Sequence, residues 1–222
     1  MSLIKHSIIP VLAACLAMMP AVAFADDARA IQELKSLLSG LKTLQADFTQ
    51  TVLNDELEAV RESSGTLKLQ RPGKNSVGKF RWDYTTPFEQ VIIGDGVNLW
   101  TYDPELEQAT VKPMQETLAS SPASLLTGSS PIEEEFEIRE IGQSGELYWI
   151  GLRPSVQDTD FERVRVAIND GELDTMELHD NLGQTTRIRF ENVRRDAPIS
   201  PDAFRFTPPE GADVIGEAQP VD

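Results

Sequence analysis

Alternation of apolar and polar positions is the dominant pattern between residues 78 and 108. Residues 79–84 read KFRWDY, so three aromatic residues alternate with three charged ones. A period of two is typical of a β-strand with one buried and one solvated face. Residues 90–93 begin a second strand, residues 94–96 (GDG) suit a tight turn, and the chain returns over 98–103. The pattern predicts the middle of an antiparallel sheet.

A helical period precedes these strands. In residues 28–45 the apolar stripe comprises Ile31, Leu34, Leu38 and Leu41, with Gln45 completing it and Leu37 and Leu44 widening it. Asp26 or Asp27 is a suitable N-cap. The spacing predicts an amphipathic helix over 28–45, which either packs on a sheet or covers a cavity.

Strands and turns continue through most of the remaining chain. Residues 46–53 and 65–70 predict a first hairpin that brings Phe48 beside Leu67 and Leu69, with a charged loop over 54–63. A second helical segment is predicted over 114–127, with a short helix starting at Pro122 and capped by Ser121. Further strands are predicted over 136–141, 147–153, 161–168, 173–179, 185–193 and 204–206.

About a dozen short antiparallel strands predict a large curved sheet. Two helical segments cannot surround so wide a sheet, so we expect them on its concave face. The predicted fold is therefore mainly β with helices, a half-open, unclosed antiparallel β-barrel whose concave face the helices cover, either packed on the sheet or as a helical lid over a hydrophobic cavity. The predicted cavity residues on the strands are Phe48, Leu67, Leu69, Phe80, Trp82, Trp100 and Tyr102, and those on the lid are Met114 and Leu118. Phe80 has two interpretations, a cavity or mouth residue and a plain core aromatic.

The first 25 residues have the composition of a secretory signal peptide. A weakly basic start is followed by an apolar stretch and by Ala23-Phe-Ala25, which predicts cleavage after Ala25 and a single mature domain over 26–222. An alternative is Leu12-Ala-Ala-Cys15, which matches the box in which bacterial lipoproteins are cut before a lipidated cysteine. Use of that box would anchor the protein to a membrane.

Composition restricts the chemistry. The formal net charge of −16 disfavours a nucleic-acid ligand. Cys15 is the one cysteine and His179 the one histidine after residue 25, so neither a Cys/His pair nor a His-rich zinc site is expected. No Gly-x-Ser-x-Gly elbow occurs. The acidic run 133–135 is interpreted as a solvated loop. An enzyme is not favoured.

Several separated blocks, in order, resemble the LolA family. They are FRWDYTTPFEQ at 80–90, IIGDGVNLWTYDPELEQATV at 92–111, LQADFTQ at 44–50, QRP at 70–72 and FRFTPPEG at 204–211. The resemblance covers most of the chain beyond residue 25. It implies the half-open barrel with its lid, and one more small element after Gly211.

The resemblance also implies a function and a partner set. Members are periplasmic carriers of outer-membrane lipoproteins, so the expected cargo is acylated lipoprotein. It would be loaded by an inner-membrane lipoprotein-releasing ABC transporter and passed to an outer-membrane receptor of LolB type. The carrier is expected to be a monomer without a cofactor. By the same resemblance, Arg71 is the latch that ties strand to lid; without it, Arg71 is an ordinary solvated residue.

Three other functions remain open from the residues. A membrane-anchored receptor of the same fold would use the Cys15 box. A regulatory module that senses stray acyl chains would be expected to carry a further domain. A lipid hydrolase is disfavoured by the histidine count.

Overall fold

The computed structural model describes residues 27–73, 77–114, 123–128, 131–156 and 159–221. Their helices are α1 (Asp27–Gly40), α2 (Ala123–Thr127), α3 (Ile132–Glu135) and a 3-10 turn at Pro201–Phe204. Their strands are β1 (Thr43–Leu53), β2 (Ala59–Gln70), β3 (Lys79–Thr86), β4 (Gln90–Gly94), β5 (Asn98–Asp103), β6 (Gln108–Pro113), β7 (Phe136–Ser144), β8 (Leu147–Pro154), β9 (Phe161–Asn169), β10 (Glu172–Asp180), β11 (Thr185–Arg195) and β12 (Asp213–Ile215).

All twelve strands belong to one sheet in the order β12-β6-β5-β4-β3-β2-β1-β11-β10-β9-β8-β7. Neighbouring strands are antiparallel except for β12, which pairs in parallel with β6. The sheet does not close, since β12 and β7 are its two edges. The predicted unclosed barrel is confirmed.

The first helix is shorter than predicted. It ends at Gly40, and Leu44 and Gln45 belong to β1, so the predicted helix over 28–45 is wrong in its last turn. Glycine is a poor helix former. Beyond it, the Lys42 amide donates to the Asp196 carboxylate at 2.8 Å, which fixes the chain at the start of the strand. Gln45, the polar residue of the predicted helical stripe, therefore belongs to a strand.

The first hairpin has a different register from the predicted one. β2 begins at Ala59, so the predicted loop over 54–63 is shorter, and Phe48 pairs with Gly65 rather than with Leu67 or Leu69. Position 65 has no room for a side chain, because a Cβ on Gly65 would lie 1.9 Å from the Asp83 carbonyl oxygen. The Phe48 ring thus lies over a position without a side chain.

The chain after β11 differs from the prediction in one element. Residues 204–206 do not form a strand; Pro201–Phe204 is a 3-10 turn whose N-cap, Ser200, accepts from the Asp202 amide. The small element implied after Gly211 is present as β12. This segment continues to Gln219, whose amide donates to the Asn98 side chain at 2.7 Å.

Two apolar clusters pack on opposite faces of the sheet. The larger lies on the concave face, between the helices and most of the strands. The smaller, on the convex face of β4, β5 and β6, is built from Ile93, Trp100, Ala109 and Val111 with Phe206 against it. The concave cluster is where the helices meet the sheet.

Candidate functional site

The helices contribute almost entirely aliphatic side chains to the concave face. α1 lies against β7, β8 and β9, and α2 lies against β2 and β3. The buried residues they supply are Ala30, Leu34, Leu37 and Leu38 from α1 and Leu125 and Leu126 from α2. Non-directional apolar contacts of this kind hold the helices by buried area rather than by a fixed set of hydrogen bonds.

An aromatic group forms the centre of the facing surface. The Phe48 ring lies 4.8 Å from Trp82 and 5.0 Å from Tyr84, in both cases edge to face. Phe190 is 6.4 Å from Trp82. The Tyr84 hydroxyl donates to the Gln50 side chain at 2.9 Å, and burial raises the pKa of Tyr84 to about 12, so the phenol is neutral. The surface beneath the helices is uncharged at this point.

The structure brings six of the predicted cavity residues together. The six in the concave cluster are Phe48, Leu67, Leu69, Phe80, Trp82 and Met114. Met114 is further fixed by its amide, which donates to the Val97 carbonyl at 2.8 Å. Leu118 lies outside the described residues, as do the Cys15 box, the leader and the predicted helix start at Pro122.

Two of the predicted cavity residues are on the wrong face. Trp100 and Tyr102 do share a face, as predicted, but it is the convex one, where their rings lie 5.3 and 5.5 Å from Phe206. Trp100 pairs with Ile93, which pairs with Arg81, so all three point away from Phe80 and Trp82. Alternation within one strand determines which of its residues share a face. The register with the neighbouring strand determines whether that face is the concave or the convex one.

Phe80 occupies a space that glycine leaves open. It pairs with Gly94 across β3 and β4. A Cβ on Gly94 would lie 2.4 Å from the Phe80 ring, so the ring lies flat over the neighbouring strand. This contact places Phe80 at the apolar surface under α2, with 3% of its area exposed.

Between α1, α2 and strands β9 and β10, the protein's own side chains fill the space on the concave face. The cavity between the α1 leucines, α2 and strands β9 and β10 has a volume of about 10 Å³. That is at most one water molecule. A larger cavity of about 460 Å³ opens beside it, between α1 and α3, and has polar lining residues that include Lys35, Arg71 and Glu135. Among the described residues, the helices are therefore closed over this part of the apolar face.

Arg71 connects the end of β2 to the end of α2. Its guanidinium donates to the Leu126 carbonyl at 3.0 Å through Nη1 and to the Gly128 carbonyl at 2.8 Å through Nη2. Its own amide donates to the Lys42 carbonyl at 2.8 Å. The last carbonyls of a helix lack intrahelical partners and attract a cation. Arg71 thus supplies both hydrogen bonds and charge to the C-terminus of α2.

Charge around this contact is arranged between the helices and the sheet. Burial lowers the pKa of Arg71, and the Glu135 carboxylate opposes that shift. Lys35 of α1 forms a 2.6 Å ion pair with Glu133, whose pKa is lowered mainly by that hydrogen bond. The acidic run 133–135, predicted as a solvated loop, is instead most of α3, and it links α1 to the start of β7.

Sequence reasoning missed half of the concave face. Strands β9, β10 and β11 contribute Val164, Val166, Met176, Ile188 and Phe190 to it. Residues 164–168 read VRVAI, in which Val164, Val166 and Ile168 are buried on one face of β9 while Arg165, on the other face, is partly exposed. Such a run predicts a strand but does not show which residues face the helices.

Within the described ranges, no helix is long and apolar enough to span a bilayer. Among the same residues, no group of three or more His, Cys, Asp or Glu side chains is placed to hold a metal ion. An open antiparallel sheet whose apolar concave face is covered by helices defines a protein of the half-open barrel class.

Comparison with known proteins makes the assignment specific. The profile of the family described as "Outer membrane lipoprotein carrier protein LolA" matches residues 39–207, and the chain belongs to that family. An outer-membrane lipoprotein carrier protein of Dechloromonas aromatica is 40% identical over 205 residues, covering 92% of this chain and 95% of the relative. One from Chromobacterium violaceum is 44% identical over 188 residues, covering 85% and 88%.

Solved structures support the fold. An uncharacterized conserved protein from Thermus thermophilus superimposes with a TM-score of 0.52 at 13% identity, covering 85% of this chain and 97% of its own. At that identity the similarity concerns architecture only.

Proposed function

We propose that this protein carries acylated lipoproteins through the periplasm, and that the acyl chains bind between the helices and the concave face of the sheet. The observation that carries the proposal is the interface itself, where leucines of α1 and α2 belong to one apolar cluster with the aromatic residues Phe48, Phe80 and Trp82. Acyl chains are apolar and need the same surroundings as those leucines. The family description, a carrier, names a transport role rather than a catalytic one.

Binding between α1, α2 and the sheet requires the helices to move. The space of about 10 Å³ between the α1 leucines, α2 and strands β9 and β10 cannot hold an acyl chain. Opening removes the leucines from the sheet, breaks the Arg71 hydrogen bonds to α2, and lets the acyl chains replace the leucines. Each CH₂ transferred from water gains about 0.8 kcal/mol, so a long chain gains on the order of 10 kcal/mol. The cost of opening is subtracted from this gain.

The free-energy cost of opening makes release possible, because it lowers the net affinity for the acyl chains. A carrier as attractive as a bilayer would never unload its cargo. If the empty protein prefers the closed state, apparent affinity falls by the fraction of molecules that are open. Arg71 sets part of this preference, because its bonds to Leu126 and Gly128 exist in the closed form. Arg71 is therefore the latch in this proposal.

We infer the partners from the resemblance to the family. An inner-membrane lipoprotein-releasing ABC transporter would load the cargo, and an outer-membrane receptor of LolB type would accept it. The carrier would act as a monomer over residues 26–222 after cleavage behind Ala25. The relatives' names describe carriers rather than anchored receptors, so lipidation of Cys15 is not favoured.

Capture of an acylated lipoprotein in detergent-free buffer tests this function. Residues 26–222 are mixed with a detergent-solubilised lipoprotein, the detergent is removed, and the soluble fraction is analysed by gel filtration. We expect a soluble complex with the acylated protein. The control is the same lipoprotein with its acyl-bearing cysteine replaced by serine, for which we expect no complex. Equal binding of both forms would mean that the protein recognises the polypeptide and not the acyl chains.

A further inference from the structure

Four hairpins lie side by side at one end of the sheet. Their tips are residues 54–58, 87–89, 104–107 and 181–184, and they join β1 to β2, β3 to β4, β5 to β6 and β10 to β11. These eight strands are consecutive in the sheet, in the order β6-β5-β4-β3-β2-β1-β11-β10. Hairpins of adjacent strand pairs are spaced by about 10 Å. We call this end of the sheet the hairpin rim.

Each hairpin of the rim exposes one large apolar side chain. Leu57, Phe88, Leu106 and Leu182 have 67%, 65%, 69% and 87% of their surface exposed. The rim is stepped, because β2 extends toward its hairpin by five residues beyond Ser64, the last β2 residue that pairs with β3. Val60, also exposed, lies on that step between the first two hairpins. Single exposed apolar residues are ordinary, but one on each of four neighbouring hairpins makes this end of the sheet a candidate interaction surface.

Leu57 occupies a backbone conformation that does not suit leucine. Its φ is +63°. Glycine, asparagine and aspartate are the residues that adopt this left-handed region readily. The Leu57 side chain is two-thirds exposed and lies outside the buried core. A residue that is unfavourable for the turn and unnecessary for the core points to a role outside folding.

The opposite end of the same sheet has different turns. The turn between β4 and β5 contains Asp95 and Gly96, and the turn between β9 and β10 contains Asp170 and Gly171. Both use turn-forming residues, and Gly96 and Gly171 have φ of +102° and +77°. Hairpin turns in this sheet can therefore be made without exposed leucine or phenylalanine. The apolar tips are specific to the rim.

Charge at the four hairpin tips has one sign. The four tips carry Asp55, Glu56, Glu58, Glu89, Glu105 and Glu107 and no basic residue. The bases nearest in sequence, Arg61 and Arg187, lie within strands, and Arg187 forms a 2.7 Å ion pair with Glu177. An acidic surface is repelled by anionic lipid headgroups and by a second copy of itself. It is complementary to a basic protein surface.

We propose that the hairpin rim is a docking surface for a protein partner with apolar side chains surrounded by lysine or arginine. The rim is remote from the lid latch, since Arg71 follows the other end of β2 and a strand of that length spans about 35 Å. Docking at the rim therefore leaves α1 and α2 free to open. This surface does not depend on acyl-chain binding, so either proposal can fail without the other.

The test uses a synthetic peptide of alternating lysine and leucine, titrated into isotopically labelled protein of residues 26–222 and followed by amide chemical shifts. A peptide of alternating lysine and serine, with the same charge, is the control. We expect the lysine–leucine peptide to shift the amides of 54–58, 87–89, 104–107 and 181–184. Shifts confined to α1 and α2 would show binding in the apolar cavity and overturn the proposal.

Matched variants separate the rim from other exposed apolar residues. Phe88→Ser with Leu106→Ser is expected to weaken peptide binding by about tenfold or more, because two exposed apolar side chains are lost. Val77→Ser with Ile141→Ser removes apolar side chains that are 48% and 52% exposed and lie away from the rim, Val77 beside the Gly96 turn at the opposite end, and is expected to leave binding unchanged. Equal weakening by both pairs would overturn the proposal.

Leu57→Asn guards against an effect on folding. Asparagine suits the positive φ of this position, so the variant is expected to keep or raise the melting temperature while weakening peptide binding. Unchanged binding would contradict a role for Leu57.

A membrane is the alternative occupant of the hairpin rim. Flotation with zwitterionic or anionic phospholipid vesicles that depends on Phe88 and Leu106 would replace the protein partner by a lipid surface and overturn the proposal.

Discussion

Arg71 is the residue on which hand-off depends in this account. Its two hydrogen bonds join a charged donor to helix carbonyls, and such bonds typically contribute about 1.5–3 kcal/mol each. When α2 moves away from the sheet, hydrogen bonds to water compensate for part of this free energy. We expect Arg71→Leu to retain acyl-chain uptake, to raise apparent affinity for a fluorescent diacylated lipopeptide by roughly ten- to a hundredfold, and to slow transfer to acceptor vesicles carrying the receptor.

Arg81→Leu is the matched control. Arg81 lies on the convex side of the neighbouring strand, is partly buried, and pairs with Asp83 at 2.7 Å. Its guanidinium also donates to the Ala203 carbonyl at 3.4 Å, on the same side and away from the lid helices. This variant is therefore expected to leave affinity and transfer unchanged. Normal transfer by Arg71→Leu, or an equal defect in both variants, would exclude Arg71 as a latch.

The role of Arg71 could be predicted from the sequence only through the family resemblance. Arg71 beside Pro72 has no distinguishing local pattern, and its partners, the Leu126 and Gly128 carbonyls, lie more than fifty residues away. Backbone acceptors leave no side-chain signature in a sequence. The Lys35–Glu133 pair was missed for a related reason, because charge pairs are abundant in an acidic chain.

The contact between β3 and β4 determines how the sheet presents its aromatic surface. Gly94 leaves the space that the Phe80 ring fills. We expect Gly94→Ala to push this ring toward α2 and to lower the free energy of unfolding by about 1–3 kcal/mol, as overpacked cores do. Urea denaturation monitored by circular dichroism measures the change.

Gly40→Ala is the control for this substitution. A Cβ on Gly40 meets no atom within 4 Å, so the stability should stay within about 0.5 kcal/mol of wild type. If Gly94→Ala were equally neutral, the Phe80 ring would not be held by the close contact described here.

Elements were predicted well where a period was long and a turn was clear. The strands of 79–84, 90–93 and 98–103 are confirmed, and the turn predicted at Gly94-Asp95-Gly96 lies one residue later, at 95–97, because Gly94 ends β4. The end of α1 was not, because Leu41, Leu44 and Gln45 continue a helical spacing by chance while Asp196, far away in sequence, fixes the strand start. A single strand predicted at 204–206 also failed, since Pro201 and Ser200 begin a 3-10 turn there.

The whole molecule is an open sheet with two faces that are both partly apolar. Strand count and turn spacing predicted the sheet, and the small number of helices predicted that one face is covered. The assignment of Trp100 and Tyr102 to that face was wrong, because a strand pattern has no absolute direction without its register. The convex cluster with Phe206 serves stability of the sheet, and the concave cluster is the proposed binding surface.

The two faces carry different tryptophans, and this allows a direct measurement. Trp82 belongs to the concave cluster, Trp100 to the convex one, and Trp149 pairs with Ala167 on the convex side. Trp100→Phe with Trp149→Phe leaves Trp82 as the one fluorophore of this type, and Trp82→Phe with Trp149→Phe leaves Trp100. A lipopeptide with brominated acyl chains quenches tryptophans that it contacts.

Fluorescence quenching of these two variants by the brominated lipopeptide is the measurement that tests the central claim, that acyl chains bind under the helices on the concave face. We predict strong quenching of Trp82 and none of Trp100, with no quenching of either by the lipopeptide lacking acyl chains. Quenching of Trp100 with Trp82 unaffected would place the acyl chains on the other face of the sheet and contradict the account.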